Sequence, residues 1–334
     1  MRALSVISTA FVLAAFMAIA AFFFGHSSYN SAGPLESPEI VLIESGSGVS
    51  QIAAKLDQQN VISSALAFKV ATHLTHRQSS LKAGEYEFPS HISLRAVLDK
   101  LEAGDVILRQ ITVPEGKTSY EVTQLINGKD DLTNNGALRL AKIPPEGSLL
   151  PETYRYQSTD TPESIIARMT TAMTKTLDEA WGNRAPNLPI KTKEEALVLA
   201  SLIEKETGVK DERKRVAGVF INRLNKGMLL QTDPTVIYAI TKGAHKNDGK
   251  GPLGRRLLTK DLGIDSPYNT YKYAGLPPGP ICNPGKASIE AALNPEKHDY
   301  LFFVADGTGG HAFGKTNAEH LKNVSKWRKV RKSQ

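Results

Sequence analysis

LASLIEKETG, residues 199–208, decides how the sequence is interpreted, because two glutamates follow directly on an apolar run. A capping box of the form T-x-x-E begins at Thr192, and strong helix formers continue to the glutamates. Gly208 is a typical helix stop. The pattern therefore predicts a largely buried helix over 192–207 that carries Glu204 and Glu206 in its last turn.

The two acids lie where a carboxylate is electrostatically unfavourable. The C-terminal end of a helix dipole repels negative charge, and desolvation raises the pKa of a carboxyl group further. Glu204 lies over the small residues Ala200 and Ser201, whereas large residues surround the stem of Glu206. Open space beside an apolar rim suits a general acid, which slightly favours Glu204. The alternative is that neighbouring lysines and arginines pair with both acids at the surface.

The N-terminus predicts a membrane anchor within residues 1–25. Leu4–Phe24 contains no charged residue, and its length matches a hydrocarbon core of about 30 Å. Arg2 precedes the segment, so the tip is expected in the cytoplasm and the rest of the chain on the periplasmic side of the inner membrane. A cleaved signal peptide is the alternative, but the apolar run is longer than a usual h-region. The Ser-, Gly- and Pro-rich residues 26–38 are interpreted as a linker.

Composition narrows the function classes only modestly. The chain has 334 residues, a net charge of +7 and one cysteine, Cys282, so no disulfide can form within it. The charge suits an anionic polymer or a membrane surface. A nucleic-acid partner is not expected, because the predicted anchor would place the rest of the chain outside the cytoplasm. No metal or cofactor is expected, because the histidines lack ligand spacing and no phosphate-binding glycine motif lies between a strand and a helix.

The remaining chain predicts an α+β fold with three parts. Residues 39–110 read as strand, glycine turn, two helices and a further strand, and resemble LysM modules, which bind N-acetylglucosamine polymers. A positioning module without sugar contacts is the alternative. Residues 111–144 form a second small or connecting subdomain, in which Gly116 repeats the place of Gly46. Residues 145–334 form the larger, mixed α+β catalytic domain, with a long loop-like stretch at 228–285.

Several long motifs resemble one known family. They are LASLIEKET (199–207), ERKRVAGVFINRLNKGMLLQTDPTVIYA (212–239), EGSLLPETYRY (146–156), DSPYNTYKYAGLPPGPICNPG (265–285) and GTGGHAFGKTNAEH (307–320). In this order the motifs resemble the MltG/YceG endolytic murein transglycosylases. The resemblance implies cleavage of nascent peptidoglycan strands beside the synthases (penicillin-binding proteins), leaving 1,6-anhydro-N-acetylmuramic acid ends. It also implies that Glu204, the first acid of E-K-E-T, is catalytic.

Other polar residues of these motifs are expected to bind substrate. These are Glu206, Gln231, Thr232, Asp233, Asn269, Thr270 and Tyr271. Asp233 is equally suited to cap a helix with Pro234 at its first position, and Asn269 to Tyr271 equally suit a structural turn. His311 is expected either to brace a loop over the site or merely to pack. Two other functions stay open: a non-catalytic peptidoglycan-binding scaffold, and a hydrolase that uses a second carboxylate such as Glu206 or Asp233.

Overall fold

The structure of the protein is a computed structural model that describes residues 16–17, 25–133, 139–243 and 253–333. The predicted anchor Leu4–Phe24 lies almost entirely outside these ranges. Within them, no helix has both the length and the apolar character needed to cross a membrane. The chain divides into two compact units, residues 1–109 with 155–160, and residues 110–154 with 161–334. The domain ranges expected from the sequence stay a prediction.

The first unit packs helices against a two-stranded sheet. Its elements are β1 (Glu39–Ile43), α1 (Val49–Gln58), α2 (Ala65–Leu74), β2 (Gly84–Phe88) and α3 (Leu94–Ala103). The strands pair antiparallel, from Glu39 opposite Phe88 to Ile43 opposite Gly84. Alternating side chains of both strands are buried, and Phe68 and Tyr86 are among the largest side chains of this core. The predicted order of elements is confirmed, while sugar binding by this unit stays a prediction.

A second two-stranded sheet joins β3 (Arg109–Thr112) and β4 (Thr153–Tyr156). After β3 the chain forms α4 (Ser119–Asn127) and the short α5 (Asp130–Thr133). The predicted glycine repeat has a conformational basis, because Gly46 and Gly116 both have positive φ, +83° and +76°. That left-handed region favours glycine, so both turns require it. The same offset of the repeat pairs Phe68 with Leu138, and Leu138 lies outside the described ranges.

The second unit is built around one buried helix. The helices in chain order are α6 (Pro162–Gly182), α7 (Lys193–Glu206), α8 (Arg213–Asn225), α9 (Asp233–Thr241) and α10 (Lys286–Leu293). Helix α7 packs against α6, α8, α9 and α10, and every residue from Val198 to Ile203 is buried. Thr192 caps α7 by accepting the N–H of Glu195 at 3.2 Å, but the Glu195 carboxylate accepts the N–H of Lys191 at 2.6 Å instead of that of Thr192, so the predicted capping box is only half formed. The predicted helix is thus confirmed, with its last turn ending at Glu206.

The chain ends in a hairpin and a helix. β5 (Phe302–Ala305) pairs antiparallel with β6 (His311–Gly314), and α11 (Asn317–Ser333) follows. Thr316 accepts the N–H of Glu319 at 3.2 Å, and the Glu319 carboxylate accepts the N–H of Lys315 at 2.7 Å. Thr316 therefore caps the helix, as its T-x-x-E spacing with Glu319 predicts, but Glu319 bonds the N–H of Lys315 rather than that of Thr316, so the reciprocal capping box does not form. The apolar run Tyr300–Ala305 predicts a buried strand, but all four residues of β5 are only half-buried.

The stretch 228–285 is less irregular than the sequence suggests. It contains α9 and a short 3-10 turn at Thr259–Gly263, and residues 244–252 lie outside the description. The predicted α+β class is confirmed by the helices and the three small sheets.

Candidate active site

A cavity of about 580 Å³ opens beside the C-terminal end of α7, within the second unit. Its walls come from the end of α7, α8, the 230–233 turn, the 271 loop, β5, β6 and α11. The lining residues are Glu206, Arg223, Leu230, Gln231, Asp233, Tyr271, Phe302, Phe303, Val304, Ala305, His311, Asn317 and His320. Because β5 forms one wall, its side chains are only half-buried.

Glu206 is the acid that faces this cavity. It is the last residue of α7, and the Thr232 hydroxyl donates a hydrogen bond to its Oε1. Burial raises the pKa of the Glu206 carboxyl, and the neighbouring charge of Asp233 raises it further. The Thr232 hydrogen bond and the positive charges of His311 and Arg223 act in the opposite direction. The net direction is upward, so the desolvation of the carboxyl outweighs the groups that favour its ionised form.

The position of Glu206 also has a backbone cause. Unpaired carbonyls at the end of α7 place partial negative charge around its last residue, which disfavours a carboxylate there. A carboxyl group that stays protonated at higher pH than usual, beside a cavity, can act as a general acid.

Glu204 lies elsewhere, and this corrects the expectation of open space beside it. Its Oε2 accepts the N–H of Gly285 at 3.0 Å, and its Oε1 lies 3.6 Å from Nη2 of Arg213. Only 6% of its side chain is exposed. The space beside the small residue Ser201 is filled by the backbone at Ile281, whose N–H donates to the Ser201 hydroxyl at 3.1 Å. Substrate therefore does not occupy that space.

Arg213 links Glu204 to a second acid. Its Nη2 lies 3.0 Å from Oε2 of Glu115, and its side chain is 8% exposed. Glu204 therefore belongs to a buried structural network on the opposite side of α7 from the cavity residue Glu206. The alternative for both acids, pairing with lysines and arginines at the surface, is found only in part, because Arg213 does pair with Glu204 but both side chains are buried.

Three predicted substrate residues share the cavity with Glu206. Gln231, Asp233 and Tyr271 all line it, and the Tyr271 hydroxyl donates to Oδ1 of Asp233 at 2.6 Å. Burial and this hydrogen bond raise the pKa of the Tyr271 phenol. Gln231 has φ of +50°, which turns the chain sharply before α9. These side chains provide amide, carboxylate and hydroxyl groups that can bind a polar sugar.

Three other predicted residues, Thr232, Asn269 and Thr270, are buried behind the cavity wall. Asn269 donates its amide N–H groups to the carbonyls of Leu262 and Ile264 at 2.9 and 2.8 Å. The Thr270 hydroxyl accepts the N–H of Thr232 at 3.1 Å. All three are at most 2% exposed, so they support the site rather than reach substrate. Thr232, not Asp233, is the N-cap residue of α9.

Some cavity residues were not predicted from the sequence. Arg223 donates to the carbonyls of Leu301 and Leu230, both at 2.7 Å, and so holds β5 and the 230 turn together. Burial lowers the pKa of its guanidinium. The one signal was a charged residue within the otherwise apolar face of α8. Phe302 and His320 stack with ring centroids 5.2 Å apart, a contact that no local pattern indicated.

His311 faces the cavity from the start of β6. Its Nδ1 lies 2.7 Å from Oε2 of Glu212, and its backbone N–H donates to Oε1 of the same carboxylate at 2.9 Å. Of the two expected roles, these contacts support the bracing of a loop. Among the described residues, no cluster of three His, Cys, Asp or Glu side chains is arranged to hold a metal ion.

Comparison with known proteins extends over most of the chain. The profile of the YceG-like family matches residues 41–326. An endolytic murein transglycosylase of Bacillus subtilis is 39% identical over 313 residues, covering 85% of this chain and 83% of that protein. One of Streptococcus pneumoniae is 32% identical over 328 residues, covering 85% of this chain and 57% of that longer protein. A crystal structure of a yceG-like protein from Listeria monocytogenes matches with a TM-score of 0.50 and 33% identity, covering 86% of this chain and 99% of that one. The chain therefore belongs to the YceG-like family.

Proposed function

We propose that this protein is an endolytic lytic transglycosylase of peptidoglycan. It cleaves the β-1,4 bond between N-acetylmuramic acid (MurNAc) and N-acetylglucosamine (GlcNAc) and leaves 1,6-anhydro-MurNAc ends. The observation that carries the proposal is Glu206, a carboxyl group with a raised pKa on the wall of a polar-lined cavity. The names of the relatives from Bacillus and Streptococcus support it.

The reaction requires one acid and no water nucleophile. Protonated Glu206 gives its proton to the glycosidic oxygen as the bond between that oxygen and C1 of MurNAc breaks. The C6 hydroxyl of the same MurNAc attacks C1 and closes the anhydro ring. That hydroxyl must also lose its proton, and in the simplest scheme the carboxylate left on Glu206 takes it.

Glu206 replaces Glu204 as the proposed catalytic acid. Both Glu204 oxygens face the protein, one the Gly285 amide and the other Arg213, so a sugar could reach that carboxyl only if the loop before α10 moved. The Glu206 carboxyl accepts a hydrogen bond from the Thr232 hydroxyl, and Glu206 lines the cavity. Gln231, Asp233 and Tyr271 are the proposed sugar-binding residues, with Thr232, Asn269 and Thr270 holding them in place.

The matched pair Glu206→Gln and Glu204→Gln tests this assignment on one helix. Purified variants are incubated with uncrosslinked glycan strands, and soluble products are analysed by mass spectrometry. We expect Glu206→Gln to release no anhydro products and Glu204→Gln to retain activity. The reverse result would restore the assignment of Glu204, and full activity of both variants would refute the acid mechanism altogether.

The same products separate the other candidate functions. A hydrolase adds one water to each cleaved end, whereas a transglycosylase does not. A binding scaffold retains strands but releases nothing from them, whether or not Glu206 is substituted.

We further propose that Leu4–Phe24 anchors the protein in the inner membrane with residues 39–334 on the periplasmic side. The support is the length and apolar character of that segment and the position of Arg2. There the LysM-like residues 39–110 would hold glycan, and cleavage beside the synthases would limit strand length. Fractionation of cells and protease digestion of intact spheroplasts test this topology; an intact chain after digestion would contradict it.

A further inference from the structure

The half-buried carboxylate of Glu212 contacts His311 at two points. Glu212 ends the 3-10 turn Lys210–Glu212, and both its carboxylate and the His311 side chain are 14% exposed. One oxygen accepts the backbone N–H of His311 at 2.9 Å, and the other lies 2.7 Å from Nδ1. One side chain thus contacts both the backbone and the ring of His311, which restricts the orientation of the imidazole.

The glycines before His311 make this contact possible. A Cβ at position 310 would lie 2.8 Å from Oε1 of Glu212, closer than any side chain tolerates. Gly309 has φ of +99°, and the carboxylate of Asp306 accepts the N–H groups of Thr308 and Gly310 at 2.7 and 3.3 Å. The absence of a Cβ at Gly310 therefore lets the Glu212 carboxylate come close to the backbone beside His311.

The hydrogen bond determines the chemistry of the other ring nitrogen. A carboxylate can only accept, so Nδ1 of His311 carries a proton, and in the neutral form of the ring the lone pair lies on Nε2. A carboxylate behind the ring also stabilises the imidazolium that forms when Nε2 takes a proton. His311 lies on the cavity that Glu206 also lines. The other charged or titratable groups on this cavity are Arg223, Asp233, Tyr271 and His320.

We propose that His311, oriented by Glu212, takes the proton of the MurNAc C6 hydroxyl during ring closure, so that Glu206 acts as acid only. The C6 oxygen forms its bond to C1 while its proton moves to Nε2, and the glycosidic oxygen leaves with the proton of Glu206. After product release, imidazolium and carboxylate exchange protons with water and return to their starting states. This inference rests on the proposed transglycosylase function.

The ratio of products tests the inference. Loss of the base leaves C1 of MurNAc open to attack by water, so His311→Gln should release reducing MurNAc ends beside anhydro ends. General-base catalysis contributes about 100-fold or more, and we expect ring closure to slow by about that factor. Water labelled with a heavy oxygen isotope marks every hydrolysed end. If His311→Gln released anhydro products alone, whatever its reaction rate, the proposal would be overturned.

Two further variants separate a chemical role from a structural one. Glu212→Gln keeps an acceptor for Nδ1 but removes the charge behind the ring, so it should shift the product ratio in the same direction and less far. His320→Gln changes a histidine of the same cavity that stacks on Phe302, and should keep anhydro ends as the product. An unchanged ratio in Glu212→Gln would count against the role of the pair, even if His311→Gln failed to fold. Glu206→Gln tests the enzyme function separately, because it should abolish both kinds of end.

Discussion

The two glutamates at the end of α7 should have opposite effects on stability when they are substituted. Glu204→Ala removes the acceptor of the Gly285 N–H and one partner of Arg213 from a side chain that is 6% exposed. An unsatisfied buried donor costs about 1–3 kcal/mol, and breaking a buried ion pair costs about 3–5 kcal/mol. Since Arg213 keeps Glu115 at 3.0 Å, we expect a total loss of about 3 kcal/mol.

Glu204→Gln separates these two contributions. An amide oxygen can still accept the Gly285 N–H, so only the charge is lost, and we expect a cost of about 1 kcal/mol. For a domain of 150–250 residues, each kcal/mol lowers Tm by about 2–4 °C. The alanine variant should therefore melt about 6–12 °C below the wild type.

Glu206→Gln should not be destabilised at neutral pH. A carboxyl whose pKa is raised by folding favours the folded state only below its unfolded pKa, and that contribution is lost as pH rises through the raised pKa. Glutamine does not ionise, so the variant gains stability relative to the wild type as pH increases through that window. Thermal and urea unfolding at several pH values measures the stability of the Glu204 and Glu206 variants relative to the wild type. A Glu204→Ala variant as stable as the wild type would refute the reasoning. So would a Glu206→Gln variant that loses stability relative to the wild type as pH rises.

Three other predictions concern the groups around Glu206. Asp233→Asn removes a negative charge that raises the pKa of Glu206, so the alkaline limb of the activity profile should move to lower pH; an unmoved limb in initial-rate measurements would contradict this. Thr232→Val removes a hydrogen bond that favours the carboxylate, so the same limb should move to higher pH, while Thr232→Ser should keep it in place. Arg223→Met leaves the Leu230 and Leu301 carbonyls without their donor and should cost about 2–4 kcal/mol in urea unfolding, with Arg223→Lys intermediate; equal stability of all three proteins would show that these bonds contribute nothing net.

The helical framework of the second unit was predictable because its determinants are local. Thr192 and the apolar residues after it specify α7 within a single stretch of chain, and the cap that Thr316 provides for α11 is equally local. Residues 228–285 were harder to predict, since a short helix such as α9 offers few turns over which to show a period.

The choice between Glu204 and Glu206 was not predictable from neighbours on the same helix. The room beside Ser201 is filled by Ile281 and the residues that follow it, which lie far away in the sequence. Similarly, Glu212 and His311 meet only through the tertiary fold. Sequence patterning identifies which helix carries the acids, whereas long-range packing decides which acid meets the cavity.

The order in which the cavity walls occur along the chain has a consequence for synthesis. Glu206, Thr232 and Tyr271 are translated first, and the wall formed by β5, β6 and His320 follows only later. A nascent chain that has emerged as far as Tyr271 carries the acid but not the hairpin that encloses it. The cavity is therefore complete only after translation has passed β6 and the start of α11, so its enclosure depends on the last part of the chain to be made.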